Sequence, residues 1–342
     1  MELFGKDLRR DVVFIAEVGV NHEGNVDAAS HLLRLAADAG ADAVKLQSYT
    51  PERYASASDP RRLDRVRRFA LDEAAHRRLA AEARGLGVVL FSTPVSEDVV
   101  PLLDSLFPAF KIASGDLTFE TVIRAAARTG KPLVVSTGAA TPDEIDRAVG
   151  WVRDEVGAAA LPERLVLMQC TSAYPTPIEE AGVGAVPWLA RRYGVAVGYS
   201  NHVIGPEACL AAIALGAAVI EVHFTDCKTG RDFHDHALSC DPADFRALVA
   251  AGRRVRKALG SGEKVVQPSE EAVRPLMRKG IVAARDLAAG TVLARTDLMF
   301  ARPATALPAD AVDTLVGRRL DVPLGRGVSL RPEHLAEPDP AG

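Results

Sequence analysis

The chain has 342 residues, of which 48% are hydrophobic and 25% charged, with 41 Lys and Arg against 45 Asp and Glu for a formal charge of −4. That length suits one large domain with a small one beside it. The acidic balance, with a pI near 6.1, excludes the concentrated basic face of a nucleic-acid binder, and no apolar run is long enough to span a bilayer.

Eight short apolar runs punctuate the first two-thirds of the chain: VVFIAEVG (12–19), AVKLQ (43–47), VVLFSTP (88–94), AFKIAS (109–114), LVVSTG (133–138), LVLMQCTS (165–172), AVGYSNH (196–202) and VIEVHFT (219–225). Near-continuous apolar strands, buried on both faces, are what a parallel sheet requires. The segments between them are helical by period. They predict helices over Asp27–Ala39, Asp72–Arg84, Phe119–Thr129, Pro142–Val156, Ala185–Arg192 and Pro206–Leu215, with Asp241–Leu259 after the last strand. Gly40 stops the first, and Thr141 before Pro142 is an N-cap with proline at the first helical position. Eight strands, each followed by a helix, have the count and length of a (β/α)8 barrel. The competing doubly wound open sheet would show a glycine-rich phosphate loop after its first strand, and AEVGVNHEG is not GxGxxG. The basic clusters Arg61-Arg62, Arg65-Arg67-Arg68 and Arg253-Arg254-Arg256-Lys257 are broken by acids or apolar residues and read as solvated helix faces. The opening MELFGKDLRR has no apolar core with a small-residue cleavage site, so no signal peptide is expected. Cys170, Cys209, Cys227 and Cys240 show no CxxC spacing and read as reduced thiols of a cytoplasmic protein.

Polar residues collect at the C-terminal ends of the eight runs, where a barrel builds its active site. His202 and His223 each end a run. On parallel strands about 4.8 Å apart, or nearly so, two imidazoles can reach one ion, although a rim histidine is as often a hydrogen-bonded structural residue. Lys45 and Lys111, with Ser114, Ser136 and Ser200, can bind an anion. Either lysine could instead pair with a rim carboxylate or form a Schiff base. Glu17, Asp116, Glu221 and Asp235 are the candidate carboxylates. Glu221 precedes His223 by two and shares its barrel face. His234 and His236, in the loop FHDHALSCDP, are expected to be solvated and rank below the two strand-end histidines.

From Gly260 the pattern changes. GSGEKVVQPSEEAVRP reads as a linker, and GIVAARDL, TVLARTDLMFARP, LVGRRLDVPL and GVSLRP read as short strands of a small β-rich domain. The expected division is a barrel over 1–259, a linker over 260–277 and the small domain over 278–342.

AEVGVNHEG, AVKLQ, FSTP, FKIASGD, VVSTGAAT, CTSAYPTP, GYSNH and EVHFT, in this order, resemble the sialic acid synthases, and RKGIVAARDLAAGTVLARTDL…ARP resembles that family's antifreeze-like (SAF) domain; the similarity runs from about residue 11 to 337. The resemblance implies a (β/α)8 barrel that condenses phosphoenolpyruvate with an N-acylated aldose such as N-acetylmannosamine, releasing phosphate by carbon–oxygen cleavage. It implies a divalent metal (manganese foremost, magnesium or cobalt as alternatives) as Lewis acid, and a domain-swapped homodimer; the charge balance and the absence of a long apolar run, not the resemblance, argue against nucleic-acid and membrane partners. Carried over by position, His202 and His223 match the metal histidines. Lys111, Ser114, Ser136 and Ser200 match residues that hold phosphoenolpyruvate. Glu17, Lys45, Gln47, Thr93, Asp116, Tyr174 and Asp235 match positions around the sugar and reacting centre. Arg302 matches an arginine that the small domain contributes to the acyl sugar across the dimer. Glu17 is the candidate for proton transfer at the new hydroxyl. The chain departs from the family pattern at Asn201, where the family has aspartate and the asparagine would orient His202 without charge, at Val222, at the Ala304-Thr305-Ala306 loop and in FHDHALSCDP. These departures leave the acceptor open. It could be the precursor of legionaminic or pseudaminic acid or a sugar of a secondary pathway, and a non-catalytic sugar-binding homologue is the remaining alternative.

Overall fold

The computed structural model describes residues 1–231, 233–304 and 306–337. The eight apolar runs form strands β1 (Val13–Gly19), β2 (Ala43–Ser48), β3 (Val89–Pro94), β4 (Phe110–Ile112), β5 (Leu133–Ser136), β6 (Leu165–Cys170), β7 (Ala196–Asn201) and β8 (Val219–His223). They close into a parallel barrel in sequence order, with β8 returning to β1. Val219 closes the ring, opposite Val13 on one side and Gly198 on the other. That seam is tight: a Cβ at Gly198 would fall 2.4 Å from the Val219 carbonyl oxygen, so only glycine fits there.

Helices α1 (Val26–Asp38), α2 (Pro60–Phe69), α3 (Glu73–Leu86), α4 (Val100–Leu106), α5 (Glu120–Arg128), α6 (Pro142–Val156), α7 (Ala185–Tyr193), α8 (Glu207–Ala214) and α9 (Pro242–Ala258) connect or follow the strands. Thr141 caps α6 in a capping box with Glu144, as its position before Pro142 implies. The predicted helices hold to within two residues at either end. Helices α2 and α4 were not predicted, nor were the short turns of helix Pro51–Tyr54, Leu161–Arg164 and Asp235–Leu238. Helix α2 is an insertion between β2 and α3. Its Leu63, Val66 and Phe69 are buried, the first two with Tyr49, Ala55 and Val95 in a small satellite core, while its arginines are exposed. An unpredicted hairpin, Glu2–Leu3 with Lys6–Asp7, packs Met1, Leu3 and Leu8 into the main core. Strands of two residues carry no readable period, so the sequence pattern could not announce it. Among the described residues, no helix is long and apolar enough to cross a membrane.

Chain contacts divide the molecule at Ser261/Gly262. In the second unit, β9 (Gly280–Ala283) pairs antiparallel with β10 (Leu298–Ala301). The remaining strand-like pieces join through isolated bridges such as Val282 to Ser329 and Leu287 to Leu324. Its core is small: Ile281, Ala283, Leu287, Leu293, Leu298, Leu315, Leu320, Leu324 and Leu330. The stretch expected as a linker holds two short helical turns, Pro268–Glu271 and Arg274–Met277, and exposes Val265, Val266, Val273, Leu276 and Met277. Residues 338–342 of the expected small domain lie outside the described residues.

Candidate active site

The C-terminal rim of the barrel opens into a pocket of about 390 Å³. Parallel register brings its charged groups together, since Glu17 pairs in register with Lys45 and with His223. Lys45 Nζ lies 2.6 Å from Glu17 Oε2 and 3.8 Å from Glu221 Oε1. Lys111 Nζ lies 3.3 Å from the same Glu221 oxygen, which also accepts from Ser200 Oγ at 3.1 Å. Gln47 Nε2 donates to Glu17 Oε1 at 3.1 Å, and Lys45 to Thr93 Oγ1 at 3.2 Å. All four charged side chains are buried. A buried charge needs a partner, and here two cations balance two anions.

Burial acts on the two glutamates alike, but their neighbours differ. Burial raises the Glu17 carboxyl above its ordinary value, and the Lys45 charge only partly offsets this. Burial also works to raise Glu221, but Lys111 and Lys45 together draw it down to about 2. Burial lowers Lys111 despite Glu221, whereas Lys45, under the same burial, is raised by its two carboxylates and held charged. Carboxylates whose affinities for a proton are pushed apart divide into a proton carrier and a fixed charge.

His202 and His223 stand 5.3 Å apart between ring centroids. Burial lowers both, His223 to about 4, so both rings are neutral near pH 7. His202 Nδ1 donates to the Thr171 carbonyl at 2.7 Å, which fixes its tautomer and leaves Nε2 free. His223 Nδ1 is buried with no hydrogen-bond partner, and Asp235 Oδ2 lies 3.8 Å away. The Tyr174 ring covers His202 at 4.0 Å. On the side of β4 and β5, Ser114 Oγ accepts from the Gly138 amide at 3.0 Å, and the buried Ser136 hydroxyl has no partner. A Cβ at Gly138 would lie 2.8 Å from Ser114 Oγ and 2.3 Å from Ser172 Oγ, so glycine keeps this cradle open.

Thirteen expected residues therefore meet in one pocket: Glu17, Lys45, Gln47, Lys111, Ser114, Ser136, Tyr174, Ser200, His202, Glu221, His223, His234 and Asp235. Thr93 stands behind them against Lys45. Asp116 lies on a turn after β4 and off the pocket lining, where burial pushes its carboxyl up to about 6. Arg302 belongs to the second unit, where its Nε donates to the Met277 carbonyl at 2.5 Å. Thr305 lies outside the described residues.

Three expectations need correction. Asn201 does not orient His202. Its amide closes a local loop on the Val203 backbone, with Nδ2 to O at 2.8 Å and Val203 N to Oδ1 at 3.1 Å, and the Thr171 carbonyl holds the histidine instead. His236 is buried rather than rim-exposed, with Nδ1 at 2.6 Å from Thr225 Oγ1. Arg62 and Arg65 do more than solvate a helix face, because both line the pocket with Tyr49, Tyr54, Val66 and Phe69. The strand-end pattern could not find this wall, which comes from the inserted helix α2. The only available signal was two basic residues three apart.

A family model described as NeuB matches residues 32–264, and one described as the SAF domain matches residues 278–336. The chain belongs to the NeuB family. It is 34% identical over 90% of its length to an N,N'-diacetyllegionaminic acid synthase of Campylobacter jejuni, covering 96% of that protein. It is 31% identical over 82% of its length to an N-acetylneuraminate-9-phosphate synthase of Mus musculus, covering 80% of it. The crystal structure of an N-acetylneuraminic acid (sialic acid) synthetase from Leptospira borgpetersenii in complex with citrate aligns with a TM-score of 0.72 at 31% identity, over 77% of this chain and 90% of that one. Like these relatives, this member of the NeuB family is an enzyme of the transferase type.

Proposed function

We propose that this enzyme condenses phosphoenolpyruvate with an N-acylated aldose and one water to give a nonulosonic acid and free phosphate: C3 of phosphoenolpyruvate bonds to the aldehyde carbon, water supplies the oxygen at C2, and the C2–oxygen bond to phosphate breaks. The observation that carries the reading is the buried Glu17–Lys45–Glu221–Lys111 network set beside two neutral histidines. Lys111, Ser114, Ser136 and Ser200 hold the anionic phosphoenolpyruvate, and the lysine charge offsets phosphate charge as it leaves. Glu221 stays ionised and keeps the two lysines positioned. Glu17, its proton affinity raised, hands a proton to the oxygen that becomes the new hydroxyl. Gln47, Tyr174 and Asp235 line the acceptor's reacting end.

The two histidines fit a divalent metal such as manganese, since both are neutral and His223 carries a buried nitrogen without a partner. Among the described residues no cluster of three or more His, Cys, Asp or Glu is placed to hold an ion. His202 and His223 would therefore be its protein ligands, with water and substrate completing the shell. The metal would supply Lewis acidity at the sugar aldehyde.

The four free cysteines suit a reducing cytoplasm. The exposed apolar side chains between Val265 and Met277 favour a homodimer that covers them. Arg302 would then serve its partner's pocket, and mixing Lys111→Met with Arg302→Ala protomers should restore activity that neither variant has alone. The central test is phosphate release from phosphoenolpyruvate across a panel of N-acyl aldoses, with manganese and with chelator. Release should need both sugar and metal, and calorimetry should show manganese binding lost in His202→Asn/His223→Asn. Metal-independent release, or none with any sugar, would remove the reading.

A further inference from the structure

The pocket has an inner end whose charge is balanced and an outer wall whose charge is not. Inside, Lys45 and Lys111 face Glu17 and Glu221. Outside, Arg62 and Arg65 line the mouth from α2. Among the described residues neither guanidinium has a carboxylate within ion-pairing distance. Their neighbour Arg67 shows what pairing on this helix looks like, at 2.9 Å from Glu52 and 3.7 Å from Asp64. Positions 62 and 65 lie three apart and so project side by side. Arg62 sits over the Tyr54 ring, 5.4 Å from its centroid, which restrains its guanidinium plane. Arg65 is near enough to the buried Tyr49 hydroxyl to oppose the rise that burial causes there.

We infer that the acceptor sugar carries an oxyanion, as a phosphate ester or a carboxylate, at the end remote from its reacting carbonyl, and that Arg62 and Arg65 hold it. The inference rests on the synthase reading for the identity of the sugar. Paired guanidinium forks match the geometry of a phosphate or carboxylate, and a cation at the rim of a low-dielectric pocket draws in an anion. The topology assigns the arginines to the acceptor and not to phosphoenolpyruvate. Helix α2 follows β2, whereas Lys111, Ser114 and Ser136 lie on or after β4 and β5. Val66, Phe69 and the two tyrosines beside the arginines offer apolar surface for sugar carbons.

The test compares kcat/KM for N-acylmannosamine, its 6-phosphate and the corresponding uronic acid, in wild type and in the double variant Arg62→Gln/Arg65→Gln. One anionic acceptor should exceed the neutral sugar by about tenfold or more, and which one wins names the anion. The ratio should fall to near one in the double variant and shrink in high salt, while Arg62→Lys/Arg65→Lys keeps part of it. A wild-type ratio near one, a preference that survives the double variant, or a rise only in the KM for phosphoenolpyruvate would overturn the subsite. Calorimetry with the sugar 6-phosphate and the uronic acid reads the subsite without turnover. Anion-dependent binding that the double variant loses, in protein that turns over no sugar, would keep the subsite and remove the synthase reading.

Discussion

The two ends of the pocket hold the same kinds of charged group under opposite rules. At the inner end every cation is buried and answered by a carboxylate, so the charges are already committed before substrate arrives. At the outer wall the cations are exposed and unanswered among the described residues. A paired network in low dielectric fixes geometry and proton affinities. An unpaired rim is available to choose between ligands. Damage to the inner end should therefore abolish the reaction for every acceptor, whereas damage to the outer wall should change which acceptor is preferred.

The largest effect is expected at Glu17. Glu17→Gln keeps the hydrogen bond with Gln47 but removes the proton carrier, and kcat should fall about 10³-fold for charged and neutral acceptors alike. Steady-state phosphate release measures it. A drop confined to one acceptor would erase the distinction between the two ends. Glu221→Gln comes next, read in stability. It leaves Lys45 and Lys111 buried with one carboxylate between them, and chemical denaturation should show a loss of about 3 kcal/mol. An unchanged midpoint would mean that the lysines find other partners.

The inner end was legible in the sequence because a parallel barrel converts strand ends into neighbours. Once the runs ending at Glu17, Lys45, Glu221 and His223 are taken as strands, their convergence follows from register alone. What periodicity does not encode is pairing within the rim. Glu221 was a candidate among four carboxylates, and only the fold shows it shared by two lysines. The outer wall was illegible for a different reason. Helix α2 is an insertion whose apolar face packs on a satellite core, so its arginines looked like any solvated stripe. Asn201 failed as a predicted support for His202 because a backbone carbonyl, which every residue carries, does that work.

Acid sensitivity separates the inner network from the packing around it. Burial holds His22 neutral and lowers it to about 4 from the ordinary 6.5. The unfolded chain therefore takes up that proton first. The stability that the neutral ring contributes is present above pH 6.5 and is lost as pH falls toward 4. Glu221, lowered to about 2 from 4.5, contributes stability present above pH 4.5 and lost only as pH falls through 2. His22→Gln should remove on the order of 2 kcal/mol of the fall in stability through the upper window and none from the lower. A pH–stability profile of the variant that matches wild type would assign the upper window to other groups, such as His223, which is also lowered to about 4.

The smallest effect tests whether the outer wall is shaped for a ligand or merely tolerated. The Tyr49 hydroxyl is buried with no hydrogen-bond partner among the described residues. A sealed hydroxyl without a bond destabilises the fold, so Tyr49→Phe should raise stability by about 1 kcal/mol. The Arg65 charge acts on the same hydroxyl, against the rise that burial causes. Once an anion engages that guanidinium, the hydroxyl has a charged group to answer, and its removal should weaken discrimination between charged and neutral acceptors by roughly threefold. A thermal shift combined with the acceptor ratio reads both effects on one variant. Higher stability with weaker discrimination would show that the fold keeps an unsatisfied group because binding uses it. Higher stability with the ratio intact would confine ligand choice to the two arginines, and lower stability would mean that the hydroxyl already has a partner and that the wall is packing after all.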